Sequence, residues 1–221
     1  MRKIIFADGE IYHVYNRGVN KACIFFEERD NSRFVADLHL MNSSANLRNV
    51  GYYLIHDRMD GLCRRGCEKL VDIAGFVLMP NHYHLLLKQL VDGGISAFMH
   101  KLGTAYTMYF NRKYQHSGVV FQGVFSAKRI DNDGYFGQIP LYIHANPLKL
   151  ANKPMPVEDA LHYLAGYKWS SYKDYLGGNM FQRVINKQIL DAYFSEHGGA
   201  RHAMHEYLKD NHVLPIEASP R

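Results

Sequence analysis

Two hydrophobic rhythms run along the chain and alternate. Residues 10–17 (EIYHVYNR) alternate in polarity and are rich in aromatic and β-branched side chains, so they predict a strand that Gly18 ends. Asp30 reads as the cap of a helix through about Leu40, with Phe34, Val35, Leu38 and Met41 spaced for one face. Residues 42–70 carry Asn, Gly and Arg in irregular order and read as an insertion. Residues 71–79 (VDIAGFVLM) predict a strand, Pro80-Asn81 a turn, and residues 82–88 (HYHLLLK) the returning strand. Apolar side chains at 95, 98, 99, 102, 106, 109 and 110 predict an amphipathic helix over 95–114, capped by Ser96. Residues 118–130 predict a further strand with a glycine interruption. A last helix of this region runs from Asp133 to about His144 and stops near Asn146-Pro147. The order β-α-β-β-α-β-α predicts an α+β chain with a ferredoxin-like antiparallel sheet and helices on one face. Residues 1–150 form that domain. Residues 151–221 form a C-terminal helical extension, with Trp169-Ser170-Ser171-Tyr172 at its start and one or two helices over 189–207.

Composition narrows the class. The 221 residues are 47% hydrophobic and 21% charged, enough for an ordinary core and unlike a disordered chain. No apolar run is long enough to span a membrane, and residues 1–10 lack the apolar centre of a signal peptide, so a cytoplasmic protein is expected. Lys and Arg number 26 against 21 Asp and Glu, which mildly favours an anionic partner such as nucleic acid. Sixteen tyrosines offer surfaces on which unpaired bases can stack. Three cysteines, Cys23, Cys63 and Cys67, argue against a disulfide framework. Cys63 and Cys67 with His56 lack an identifiable fourth zinc ligand, so free thiols are expected there.

Two pairs of residues carry candidate chemistry. His82 and His84 are two apart in a strand and point to one face, with Tyr83 turned away. Neutral imidazoles converging in this way can bind a metal, although two histidines on one strand face are more often structural. Tyr142 and Asn146 are four apart and share a helix face. A phenol can act as a nucleophile and an amide oxygen can complete a metal shell. The alternative is a core aromatic followed by a helix-capping Asn before Pro147.

The run Leu78-Met79-Pro80-Asn81-His82-Tyr83-His84-Leu85-Leu86 resembles the HUH motif of single-tyrosine transposases, and more narrowly that of the bacterial REP-associated tyrosine transposases. Other segments resemble the same family in the same order: Tyr12-His13-Val14 with Asn16-Arg17-Gly18, Tyr106-Thr107 to Phe110-Asn111-Arg112, Phe121-Gln122-Gly123 with Phe125, Tyr142-Ile143-His144 with Asn146-Pro147, and Trp169-Ser170-Ser171-Tyr172. The likeness covers about residues 10–178. It implies His82, His84 and Asn146 as ligands of a divalent ion, Mg²⁺ or Mn²⁺, and Tyr142 as a nucleophile that forms a 5′-phosphotyrosine. It also implies single-stranded DNA or DNA hairpins as partner and a monomer or homodimer as the working unit. Arg17, Arg112, Lys113, Lys128 and Arg129 are candidate DNA contacts, and Lys149 lies near the nucleophile. Two positions depart from the pattern: Val124 stands where an arginine is expected, and Gly137 and Pro140 precede Tyr142 in its helix. Three rival readings stand beside this one. One is a replication-initiator or relaxase-type nuclease, disfavoured by the short chain. Another is a catalytically silent protein that binds repeat hairpins. The last is a metal hydrolase that uses water.

Overall fold

The computed structural model describes residues 4–45, 68–130, 133–151 and 153–211, with the side chains of 133–136 excepted. The candidate zinc residues His56, Cys63 and Cys67, and most of the expected insertion, lie outside these. The elements in order are β1 (Ile11–Arg17), α1 (Glu28–Leu40), β2 (Val71–Met79), β3 (His82–Gln89), α2 (Gly94–Tyr114), β4 (Ser126–Arg129) and α3 (Asp133–Ala145). A 3₁₀ segment, Asn146–Leu150, continues α3. Then come α4 (Val157–Gly166), α5 (Tyr172–Tyr175), α6 (Gln188–Glu196) and α7 (Ala200–Asp210).

The four strands form one antiparallel sheet in the spatial order β2-β3-β1-β4, the ferredoxin-like arrangement expected from the sequence. Alternation assigns the two faces. Tyr12 and Val14 of β1, Phe76 and Leu78 of β2 and Tyr83, Leu85 and Leu87 of β3 enter one core with α1 and α2. Ala74, Val77, Met79 and Leu86 enter a second core with α3, α4, α6 and α7. Helices therefore cover both faces. The near-continuous apolar run of β2 follows from that burial on two sides. The second cover is partial. It lies over β2, β3 and the Ile11–His13 end of β1, and leaves the Arg17 end of β1 and the outer strand β4 open enough on that face that Arg17, Ser126 and Lys128 are exposed.

Local chemistry moved several expected boundaries. The cap of α1 is Glu27, and Asp30 is the reciprocal partner of a capping box three residues on. Asp30 is fully buried and also accepts from the hydroxyls of Tyr109 and Tyr114 on α2, which fastens the two helices together. Ser96 does not cap α2. Gly93, at φ +65°, precedes the helix, and the Gln89 side chain accepts from the Ile95 amide. The expected strand over 118–130 pairs as a ladder only at Ser126–Arg129, because Gly118 and Gly123 turn the chain at φ +97° and +68°. Trp169 to Ser171 lie along the free edge of β2, where Leu78 donates to Trp169 O at 2.9 Å and Ser171 donates to Phe76 O at 3.0 Å. That contact covers backbone that an edge strand would otherwise expose.

Candidate active site

The turn that carries the histidines is held from outside the hairpin. Pro80 O accepts from the amides of Ile24 and Phe25, Asn81 O accepts from Gly18, and the Asn81 side chain donates to Lys21 O at 3.1 Å. β3 leaves this anchored turn with His82 and His84 on the face of the second core and Tyr83 buried on the opposite face. The ring centroids of His82 and His84 are 5.1 Å apart.

Each histidine has its Nδ1 engaged. His82 Nδ1 lies 2.7 Å from Asn81 Oδ1, and His84 Nδ1 lies 2.8 Å from Nε2 of His13 on β1. Those contacts leave the Nε2 atoms as the available ligand atoms. Burial lowers the pKa of all three imidazoles. His82 falls to about 4, by burial and then the positive charge of Lys149, against the opposing effect of a hydrogen bond that the protonated ring donates to the Asn146 side chain. His13 falls to about 4, by burial and the charge of Lys128. His84 lies well below 6.5, chiefly through burial. The three are neutral at pH 7, the form in which imidazole binds a metal.

Helix α3 brings the tyrosine to this face. Its centre is 5.8 Å from the ring of His84 and 6.1 Å from that of His13. Tyr142 is partly buried, and Asn146 directly after the helix is buried. Asn146 donates to Tyr142 O at 2.8 Å, which fixes the amide and presents Oδ1 towards Lys149 Nζ at 3.0 Å. The same ammonium stands 3.4 Å from the Tyr142 hydroxyl and 4.9 Å from its ring centre. Pro140 sits inside α3, yet the helix continues through it to Ala145. The cost is one backbone hydrogen bond. Gly137 has a packing reason: a Cβ there would come within 2.8 Å of the Tyr193 ring on α6.

Two imidazole Nε2 atoms and one amide oxygen form a mixed donor set that fits a divalent ion which tolerates nitrogen and keeps open positions. Among the described residues no cluster of three or more His, Cys, Asp or Glu side chains is placed to hold a metal.

The other expected contacts divide. Arg17 pairs in register with His82 and Lys128 with His13, so both lie on the site face, and both are exposed. Arg17 Nε donates to Gln122 Oε1 at 2.6 Å. Arg129 faces the other way, opposite Tyr12, and pairs with Glu10 at 3.0 Å. Lys113 is bound to Glu27 and Asp30. Arg112 is exposed in the last turn of α2, in the opposite layer. Sequence reasoning did not single out His13 or Tyr15 as site residues. Period-two alternation places both on one face of β1, but only the register with β3 places them beside His84.

The profile of the family described as "Transposase IS200 like" matches residues 32–146, just over half of the chain. The matched span starts in α1 and ends on Asn146, and so includes both strand histidines and the tyrosine helix. Among solved structures, the chain is similar to a REP-associated tyrosine transposase bound to a REP hairpin. The identity is 14% and the TM-score 0.46, over 80% of this chain and 85% of that one. A comparison with curated proteins returns no match.

Proposed function

This chain belongs to the IS200-like transposase family, and from that premise we propose that it cuts single-stranded DNA with Tyr142 and rejoins strands from the covalent intermediate. The observation that carries the reading is the meeting of Tyr142 with two neutral histidines on one sheet face, with Asn146 and the Lys149 ammonium beside the hydroxyl.

In the proposed reaction, the Tyr142 Oη forms a bond to phosphorus and the bond from phosphorus to the 3′ oxygen breaks. The phenol loses a proton and the departing 3′ oxygen gains one. The product is a 5′-phosphotyrosine with a free 3′-OH. A second 3′-OH attacks the phosphotyrosine in reverse, so the phosphodiester bond energy is kept and no nucleotide triphosphate is consumed. Nε2 of His82, Nε2 of His84 and Oδ1 of Asn146 would hold a divalent ion, Mg²⁺ or Mn²⁺, which would supply Lewis-acid stabilisation of the phosphate charge. Imidazole nitrogen suits Mn²⁺ better than the harder, oxygen-preferring Mg²⁺.

Lys149 sets positive charge next to the attacking oxygen, where a phosphate would lie. Arg17 and Lys128 extend that charge along the bare half of the face, with Tyr15 between them as a stacking surface. Lys113 and Arg129 already have carboxylate partners and are assigned structural roles, and Arg112 a peripheral contact. The substrate class proposed is single-stranded DNA associated with hairpins.

The test is incubation with labelled hairpin-bearing single strands and Mn²⁺, read on a denaturing gel. Wild type is expected to yield a protein–DNA adduct, and Tyr142→Phe and the His82→Ala/His84→Ala pair to yield none. Cleavage that persists in Tyr142→Phe would point instead to a hydrolase that uses water. Tight binding with no cleavage by wild type would point to a silent DNA-binding protein.

A further inference from the structure

The third histidine of the site, His13, stands on a different strand from the other two. His13 and His84 are both only 5% exposed, their ring centroids are 5.0 Å apart, and Nε2 of the first lies 2.8 Å from Nδ1 of the second. Two neutral imidazoles in contact share one hydrogen bond, and it has two possible directions. If His84 carries its proton on Nδ1, it donates to His13 and leaves a bare Nε2 lone pair. If His13 donates from Nε2, His84 must carry its proton on Nε2 and has no lone pair left for an ion.

The surroundings favour the first direction. His82 shows the same arrangement, with an amide in place of the second imidazole. Its Nδ1 faces the side-chain oxygen of Asn81 at 2.7 Å, and an amide oxygen only accepts. The Asn81 amide nitrogen donates to Lys21 O, so its oxygen faces the ring, and the tautomer of His82 that satisfies this contact bears its proton on Nδ1 and presents Nε2 without one. His84 stands two residues along the same strand and faces the same place, and His13 occupies for it the position that Asn81 occupies for His82. The partner of His82 is its neighbour in the chain. The partner of His84 comes from 71 residues away, and the pairing of β1 with β3 delivers it.

We infer that His13 is a positioning residue of the metal site: it accepts the Nδ1 proton of His84 and so fixes that ring with Nε2 turned to the ion, without itself being a ligand. This rests on the reading of His82 and His84 as ligands. His13 Nε2 is occupied by the hydrogen bond, and its ring is packed between Tyr15 at 5.1 Å and Tyr142 at 6.1 Å. A partner that sets the tautomer and orientation of a ligating histidine contributes about 10–100-fold to metal affinity.

The experiment measures Mn²⁺ binding to the full chain by the free-ion EPR signal at pH 7.5, with no DNA present. His13→Leu, which fills space but accepts nothing, is expected to weaken binding by about 10–100-fold. His13→Gln, whose side-chain oxygen can accept the same proton, is expected to recover most of the loss. His82→Ala is the control. If wild type binds, His82→Ala does not, and His13→Leu binds like wild type, the positioning role falls while the ligand reading stands. If wild type and His82→Ala bind alike, both fall together. A second readout needs no variant that might misfold. In ¹⁵N-histidine-labelled wild type without metal, two-bond ¹⁵N–¹H correlations report each ring tautomer. His84 is expected as the Nδ1–H form, and finding it as Nε2–H would overturn the inference.

Discussion

At the scale of single residues, the histidine pair and the tyrosine do different work, and Lys149 connects them. Its ammonium lies beside the Tyr142 hydroxyl and the amide oxygen of Asn146, and its charge helps to keep His82 neutral. Lys149→Ala is therefore expected to slow single-turnover cleavage about 10²–10³-fold, the usual effect of removing one preorganised charge from a reacting phosphate or carbonyl. DNA affinity should fall far less, since Arg17 and Lys128 remain. Lys149→Met keeps the length without the charge and should behave like Ala; an unchanged single-turnover rate in either variant would remove Lys149 from the chemistry. The ligand candidates were legible in the sequence because strand and helix periods alone place His82 with His84 and Tyr142 with Asn146. The Nδ1 partner of His84 was not legible, because it depends on register between strands distant in sequence.

At the scale of elements, the question is what holds α3 so that Tyr142 meets the sheet. Two residues beyond the tyrosine, His144 is buried, with Nε2 2.9 Å from Ser171 Oγ. That oxygen also accepts from the Phe76 amide at 2.8 Å, and Phe76 O lies 3.3 Å away to receive the hydroxyl proton. One serine thus pins α3 to β2. Gly75 leaves the room for it, since a Cβ there would lie 3.3 Å from His144 Nε2 and 3.4 Å from Ser171 Oγ. Ser171→Ala leaves buried polar groups of Phe76 and His144 without a partner and is expected to destabilise the protein by about 1–3 kcal/mol in urea unfolding. Unchanged stability would mean that the hydroxyl does not hold the helix. The sequence showed Trp169-Ser170-Ser171-Tyr172 as a signature but not its place, since a short segment on a sheet edge has no periodicity of its own. The bonded strand of β4 was likewise shorter than its apolar pattern suggested, because backbone turns at Gly118 and Gly123 override that pattern.

At the scale of the whole molecule, the sheet and its two cores hold four histidines neutral, three of them buried and His82 half-buried, and this sets the response to acid. Folded values are about 4 for His13 and His82, about 3 for His144 and well below 6.5 for His84, against about 6.5 in an unfolded chain. Between pH 6.5 and 4 the unfolded chain takes up protons that the native protein refuses, so this stability is complete above about pH 6.5 and declines as pH falls. Asp37 acts in the opposite direction: burial raises it to about 6, so the native state holds a proton there that the unfolded chain releases. Four histidines outweigh one aspartate. The melting temperature of the metal-free protein is expected to drop steadily from pH 7 to 4.5, and a flat or rising profile would contradict this balance. The ferredoxin-like order of elements was readable from the alternation of period-two and period-3.6 segments. The cover on the second face was not, because the C-terminal helices declare their own apolar stripes but not which sheet surface they meet.

The central claim is that Tyr142 is the residue that becomes joined to DNA. The most direct measurement is to react wild-type protein with a cleavable single strand and Mn²⁺, digest both components, and sequence the nucleotide-bearing peptide by mass spectrometry. The account predicts a 5′-phosphate ester on Tyr142, within the peptide that carries Ile143, His144 and Asn146. A nucleotide on any other tyrosine, or efficient cleavage with no nucleotide-bearing peptide, would contradict it.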